Sequence, residues 1–287
     1  MNIFFQQVLN GLTLGSVYAL VALGLTLVYG ILHIPNFAHG AFYMVGAYVS
    51  FYVAGSLGMN FWVAMLCAAI VVAGLAMLSE RLIFYPLRNS PGLHHMIAAI
   101  GLLLFLEAVV QAIWGADFHR LAAPYTQILR FADLTAPAQR ILIVVAAFVL
   151  MIGLQIFLRR TTTGSTIVAM AQNREGAALV GISLLKVSLL TFAISGALAA
   201  VAATLFAPIS LIYPAMGHLV ILKAFVIIIL GGMGSIPGAI VGGLLIGFAE
   251  AFGAFYISTS YKDIIAFVLL VAILSLRPQG LFPSEVR

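Results

Sequence analysis

Three charged residues, Glu107, Lys223 and Glu250, stand inside stretches that are otherwise apolar. Ionisable groups in such surroundings are costly and face the interior of a helical bundle or water, so they are the first candidates for chemistry. At ~1.5 Å of helical rise per residue, Lys223 lies about 7 to 8 Å inside one end of its segment and Glu250 about 9 Å inside the same end of the next, antiparallel one. Similar depth predicts that the two pair and fix the packing of their helices; plain snorkelling of Lys223 is the alternative. Glu107 has Gln111 one turn later on the same face, which suits an interhelical hydrogen bond or a place along a solute path. Hydrolytic chemistry is excluded residue by residue. The six histidines form no His-Glu-x-x-His, with His94 and His95 in one loop and His119 in another. For Ser195 and Ser235, no histidine stands at a useful place on a later segment to act as a base. No catalytic residue and no metal site are therefore assigned, and the single Cys67 excludes a disulfide framework and any multi-cysteine metal centre.

The elements that must position these residues follow from composition. Of 287 residues, 64% are hydrophobic and 7% charged, whereas a soluble domain is about half apolar and roughly a quarter charged. The chain reads as an all-α, polytopic transmembrane bundle. Apolar segments fall at residues 9–30, 40–57, 61–79, 97–115, 139–158, 187–207, 218–231, 238–256 and 263–276, close to the ~20 residues that a crossing helix needs. Joining the two segments on either side of Gly231–Gly238 would reduce the nine spans to eight. Charge decides between the two counts. Arg81, Arg88, Arg159, Arg160, Arg174, Lys186, Arg277 and Arg287 all fall on one side if there are nine spans, leaving Arg120, Arg130, Arg140 and Lys262 on the other. Basic loops stay cytoplasmic, so the N-terminus is expected outside and the C-terminus inside. The excess of 13 Lys+Arg over 8 Asp+Glu then reflects membrane orientation, with no nucleic-acid partner. Residues 1–287 form one transmembrane domain, with loops at 116–138 outside and 159–186 inside. The opening residues lack the basic cluster of a signal peptide, so the first segment is expected to be a permanent span.

Three stretches carry the distinctive patterns. In the inside loop, Thr163 can cap a helix starting near Ser165, and Asn173 can cap a second one that ends at Gly181. The apolar positions Ile167, Val168, Met170, Leu179 and Val180 need cover from the membrane domain or from a partner, so the loop is either an interfacial connector or a docking element. The run Gly231-Gly232-Met233-Gly234-Ser235-Ile236-Pro237-Gly238 lacks the Gly-Lys-Ser/Thr of a phosphate loop. It reads as a tight turn with small-residue packing by Gly238, Gly242 and Gly243. Pro35 breaks helix geometry between the first two segments and Gly40 restarts it, so Asn36 and His39 can face a cavity.

These stretches resemble the branched-chain amino-acid family of ABC importer permeases, LivH type. The matches are Arg160-Thr161 and Gly164, then Ala171-Gln172-Asn173-Arg174, Ala177-Ala178 and Gly181-Ile182 in the inside loop; Lys223-Ala224-Phe225 with the Gly231 to Ala239 segment; Asn36-Phe37-Ala38-His39-Gly40; and the tail Arg277-Pro278-Gln279-Gly280-Leu281-Phe282. Ser165 and Val168 depart from the pattern, standing where basic residues are usual. The resemblance implies a permease fold with a discontinuous helix and a cytoplasmic coupling helix, in which Arg160, Thr161, Gly164, Ala171, Asn173, Arg174 and Gly181 engage an ATPase. It implies a second, homologous permease subunit, two cytoplasmic ATPase subunits and an external solute-binding protein as partners, besides membrane lipid. ATP would be used by those partners, with no cofactor on this chain and no enzymatic activity of its own. Leucine, isoleucine and valine, or related amino acids or amides, would cross into the cytoplasm by alternating access, along a path expected to include Asn36, His39, Glu107, Gly231, Gly232 and Gly234. A stand-alone ion-coupled transporter or channel is the alternative, and its discriminator is the docking loop.

Overall fold

A computed structural model of the chain describes residues 2–33, 35–131 and 134–282. Its helices are α1 (Asn2–Leu32), α2 (Ala38–Phe51, prolonged by a π-helical turn Tyr52–Ser56), α3 (Phe61–Ser79, prolonged by a second π-helical turn Glu80–Phe84), α4 (Gly92–Trp114), α5 (Ala138–Arg160), α6 (Thr162–Gln172), α7 (Arg174–Leu179), α8 (Leu184–Phe206), α9 (Met216–Gly231), α10 (Ile236–Tyr256) and α11 (Lys262–Leu276). The fold is an all-α bundle. Each of the predicted apolar segments falls on one helix, and the glycine run separates α9 from α10 instead of joining them. Among the described residues, six helices are long and apolar enough to cross a membrane, and Met216–Gly231 and Ile264–Leu276 are shorter apolar helices. Between α4 and α5 an antiparallel hairpin pairs β1 (Ile128–Phe131) with β2 (Leu134–Pro137). Strands this short carry too few residues for a period-two signal to rise above the loop around them. Arg287, expected among the inside charges, lies outside the described residues.

Helix α1 is the axis of the bundle. From Val17 to Val28 it is buried on all sides, with Ala19, Leu20, Ala22, Leu23 and Leu25 fully enclosed, as expected of a helix that is apolar all round. Helices α5, α8, α9 and α10 pack around it. The peripheral helices bury a single row each. In α3 that row is Ala64, Ala68, Val72 and Ala76, while Leu66, Ile70 and Met77 face outward, which is the stripe a helix shows when its other side meets lipid.

Apolar helices gain little hydrophobic energy from one another in lipid, so association depends on close packing. The α1–α10 seam shows how the sequence achieves it. Gly11, Gly15 and Ala19 of α1 lie against Phe248, Gly247 and Gly243 of α10, and a Cβ at Gly247 would strike the Gly15 backbone. At the turn between α9 and α10, Gly231 and Gly238 are in backbone contact. Ser235 caps α10 by accepting from the Gly238 N–H at 3.2 Å. The C-terminal tail closes the same turn: Leu281 N–H donates to Leu230 O and Phe282 N–H to Gly231 O, each at 2.9 Å. Those carbonyls end α9 and would otherwise be orphaned, so two of the distinctive sequence stretches are one structural unit.

The break after α1 is abrupt. His33 takes a left-handed conformation (φ 54°), and the chain doubles back so that α2 begins beside Val21, in the middle of α1, where His39 Nε2 meets Val21 O at 3.0 Å. Asn36 Oδ1 accepts from Ala38 N–H at 3.1 Å, satisfying one donor of a helix start that is buried away from water.

Replacing Gly247 by Ala is expected to lower stability by about 1–3 kcal/mol through overpacking. The same change at Gly74, which has no neighbour within 4 Å of the new methyl, should leave it unchanged. Thermal unfolding of the detergent-solubilised variants measures the difference.

Candidate functional site

At the end of the bundle that carries the N-terminus of α1, a cavity of about 610 Å³ opens between α1, α5, α8, α9 and α10. That volume is within the range of sites for small solutes. Its rim is exposed, with Phe255 at 49% and Ile209 at 40% of full accessibility, whereas Tyr18 and Glu250 on its wall are 9% and 2% exposed. Leu14, Val17, Met216 and Val220 give it an apolar surface, and Gln7, Asn10, Thr13 and Arg140 supply polar groups.

Three helices meet at the buried part of this wall through a charged triad. Lys223 Nζ of α9 donates to Glu250 Oε2 of α10 at 2.9 Å and to the Tyr18 hydroxyl of α1 at 2.9 Å. The Tyr18 hydroxyl in turn donates to Glu250 Oε2 at 2.8 Å. The ammonium also lies 5.1 Å from the Tyr18 ring centre, within the range of cation–π attraction. The side chains of Lys223 and Glu250 keep only 11% and 3% of their accessibility, so neither charge reaches bulk water and each depends on the other. Snorkelling does not describe this lysine.

The six residues expected along a solute path do not line this cavity. Asn36 and His39 are buried inside the α1–α2 break, and His39 bridges Val21 O and the Ser195 hydroxyl, the latter at 3.2 Å. Their polar atoms are engaged in helix packing, although Asn36 Nδ2 has no partner among the described residues. Glu107 forms an interhelical contact with His218 of α9, Oε2 to Nε2 at 2.6 Å, and is not on the cavity wall. Gly231 is packed against Gly238, and Gly232 and Gly234 take positive φ angles of 104° and 83° in the turn. These glycines shape the end of the bundle opposite the cavity mouth.

The inside loop occupies that opposite end. Thr161, and not Thr163, caps α6: its hydroxyl accepts from Gly164 N–H at 2.9 Å while donating to Phe157 O at 2.7 Å. Because Thr161 already has extended backbone at the end of α5, the cap falls two residues before Thr163 and the helix starts at Thr162, ahead of Ser165. Gly164 packs on the backbone of Phe157 and Leu158, and Ala171 lies beside Gly30 near the end of α1. Asn173 caps α7 by accepting from Gly176 N–H at 2.8 Å. Gly181 (φ 86°) closes α7, with Ile182 N–H donating to Ala177 O at 3.0 Å, a left-handed helix cap. Ile167 and Met170 are buried, whereas Leu179 and Val180 are 89% and 77% exposed. Arg160 is exposed and Arg174 half-buried. A second hollow of about 410 Å³ lies between α6 and the start of α8, lined by Thr162, Thr166, Ile182 and Lys186.

Sequence reasoning missed several residues that the fold brings into play. Tyr18 and Arg140 on the cavity wall and His218 opposite Glu107 gave no signal, because their partners are far away in sequence. Glu80 is 2% exposed and receives the Ser188 hydroxyl across α3 and α8. It falls one residue past the end of the apolar segment 61–79, so hydropathy alone leaves it in the loop.

A helical bundle with a half-open cavity at one end and a capped surface loop at the other is the architecture of a membrane permease. Residues 7–274 match the family described as branched-chain amino acid transport system / permease component, and the chain belongs to that family. It is 40% identical over 293 residues to the high-affinity branched-chain amino acid transport system permease protein LivH of Escherichia coli (strain K12), covering 97% of this chain and 95% of that one. It is 40% identical over 294 residues to the corresponding protein BraD of Pseudomonas aeruginosa, with the same coverage of 97% and 95%. A more distant similarity, 25% over 298 residues and 69% of its length, is to the permease protein LivM of Escherichia coli.

Breaking a buried ion pair from one side costs about 3–5 kcal/mol, because it strands the remaining charge. Lys223→Met and Glu250→Gln should therefore each destabilise strongly, and the double variant should lose less than the sum. Thermal unfolding and expression of the three variants measure the coupling; strictly additive losses would exclude direct pairing.

Proposed function

We propose that this chain is the membrane permease subunit of an ATP-driven importer that carries leucine, isoleucine, valine or a chemically related amino acid or amide into the cytoplasm. The observation that carries this reading is the separation of two surfaces by one rigid bundle. A solute-sized cavity lies at one end, and a loop with an anchored side and two exposed apolar residues, Leu179 and Val180, lies at the other. Apolar residues so exposed mark a surface that another body covers, and in this reading that body is the ATPase.

In this reading α6 and α7 dock an ATPase subunit, with Arg160, Thr161, Gly164, Ala171, Asn173, Arg174 and Gly181 shaping the contact. Two such ATPases bind and hydrolyse ATP, and this chain holds no cofactor and performs no chemistry. Pairing with a second permease subunit is supported by the similarity to both LivH and LivM, two separately named permease proteins of one bacterium. A solute-binding protein outside delivers to the cavity end. The positive-inside rule then sets the orientation: the loop end, which carries Arg81, Arg88, Arg159, Arg160, Arg174, Lys186 and Arg277, faces the cytoplasm, and the N-terminus faces outward across nine spans of the inner, or plasma, membrane. ATP-driven closure of the partners moves the loop and reorients the bundle, so that solute entering outside is released inside.

Leu179→Asp combined with Val180→Asp should abolish association with the ATPases and uptake. Because both side chains project from the fold, the permease should still be inserted and thermally stable. Co-purification and uptake in reconstituted vesicles measure this. Uptake that persists without any ATPase would overturn the reading.

A further inference from the structure

Glu250 is engaged on one side only. Oε2 takes both the Tyr18 hydroxyl and the Lys223 ammonium, while Oε1 is buried with no hydrogen-bond partner among the described residues. An ionised carboxylate offers about four acceptor positions, so this buried charge keeps unused accepting capacity, as Glu80 does with its Oε2, and only Glu250 of the two lines the cavity. The idle oxygen belongs to a residue on the wall of the 610 Å³ cavity, and so does the lysine that neutralises it. The cavity wall therefore holds one cation and one anion 2.9 Å apart, with Oε1 itself enclosed, beside the apolar side chains of Leu14, Val17, Met216 and Val220.

An α-amino acid carries the same two charges on neighbouring atoms, with an aliphatic side chain beside them. We propose that Lys223 and Glu250 are the head-group site for a zwitterionic α-amino acid. The ammonium donates to Glu250 Oε1, and the carboxylate faces the Lys223 ammonium, giving a ring of four charges of alternating sign. Tyr18 holds Oε2 in place and keeps the glutamate oriented while the solute is present. The flexible four-carbon stem of Lys223 lets the ammonium turn from the glutamate toward the solute by side-chain rotation. Leucine-like side chains then lie on the apolar wall. Neutral amides and urea match one half of this site at most. The proposal rests on the chain being an amino-acid permease subunit and goes further, by assigning the residues that read the solute.

The test uses the assembled importer in lipid vesicles, with Val220→Cys as a reporter on the cavity wall and Cys67→Ala to remove the native thiol. Labelling of the reporter by a membrane-impermeant thiol reagent is followed with L-leucine, 4-methylpentanoate (no ammonium), 3-methylbutylamine (no carboxylate) or acetamide present. The site predicts that leucine slows labelling and that the other compounds at equal concentration do not. Glu250→Gln should raise the leucine concentration needed for half-protection by about tenfold to a hundredfold, the weight of a hydrogen bond to a charge. Equal protection by leucine and its truncated analogues, no protection by leucine, or an unchanged requirement in Glu250→Gln would overturn the proposal. If Glu250→Gln fails to assemble, the comparison of analogues on the parent reporter decides alone. ATP-dependent leucine uptake by the same preparation is scored separately. Uptake without protection refutes the site and leaves the import reading standing, and absent uptake of any amino acid refutes the import reading.

Discussion

An ammonium and a carboxylate removed from water repay their desolvation only if their geometry is good and further hydrogen bonds complete it, and this bundle meets that condition by bringing three helices to one point. Tyr18, Lys223 and Glu250 sit on α1, α9 and α10, so contacts of 2.8–2.9 Å among them require all three helix axes to be placed closely. The glycines make that placement reachable. Gly15 and Gly247 let α1 and α10 touch backbone to backbone, and Gly231 and Gly238 do the same for α9 and α10. A side chain at either contact would push the helices apart by more than an ion pair of this length tolerates. The seam, the pair and the cavity wall are thus successive consequences of where the small residues fall.

Much of this was legible in the sequence because the membrane imposes simple rules. Apolar runs bounded by Gly, Pro and charge gave every major helix, and the similar depth of Lys223 and Glu250 brought them to attention as a possible pair. What could not be read was which faces meet. Tyr18 looks like one aromatic residue among apolar neighbours until the fold sets it opposite a lysine that lies 205 positions further on. The Asn36 to His39 stretch shows the converse. Its proline and polar residues marked a break correctly, but the return of α2 to the level of Val21 engages the His39 ring with that carbonyl and Ser195. A polar residue at a helix break satisfies either a solute or a neighbouring helix, and only the register of the returning helix distinguishes them.

Short-range signals erred by small shifts with a clear cause. Thr163 and Thr161 are both competent caps by type, and the apolar period starting at Ile167 favours the later one. Extended backbone at Thr161 decides for the earlier, since a cap needs non-helical dihedrals together with a side-chain oxygen that reaches the next turn. Glu80 was hidden for a similar reason. The π-helical turn Glu80–Phe84 carries α3 past the point where its apolar run ends, and so takes a charged residue into a buried position that hydropathy assigned to a loop.

A chain of packed contacts runs between the two ends of the molecule. Helix α1 bears Tyr18 at the cavity wall and, twelve residues further on, Gly30 against Ala171 of α6. Along the same helix, the seam with α10 locks α1 to the helix that carries Glu250. Helix α9, which carries Lys223, ends in the turn that the C-terminal tail holds by two backbone hydrogen bonds. A displacement of α6 therefore reaches α1 directly, and α1 cannot slide along α10 without separating backbones that are already in contact. The lysine stands on a different helix, anchored at its far end by the glycine turn and the tail. Relative movement between α9 and the α1–α10 unit is the motion that would change the Lys223 to Glu250 distance, and with it the state of the cavity wall.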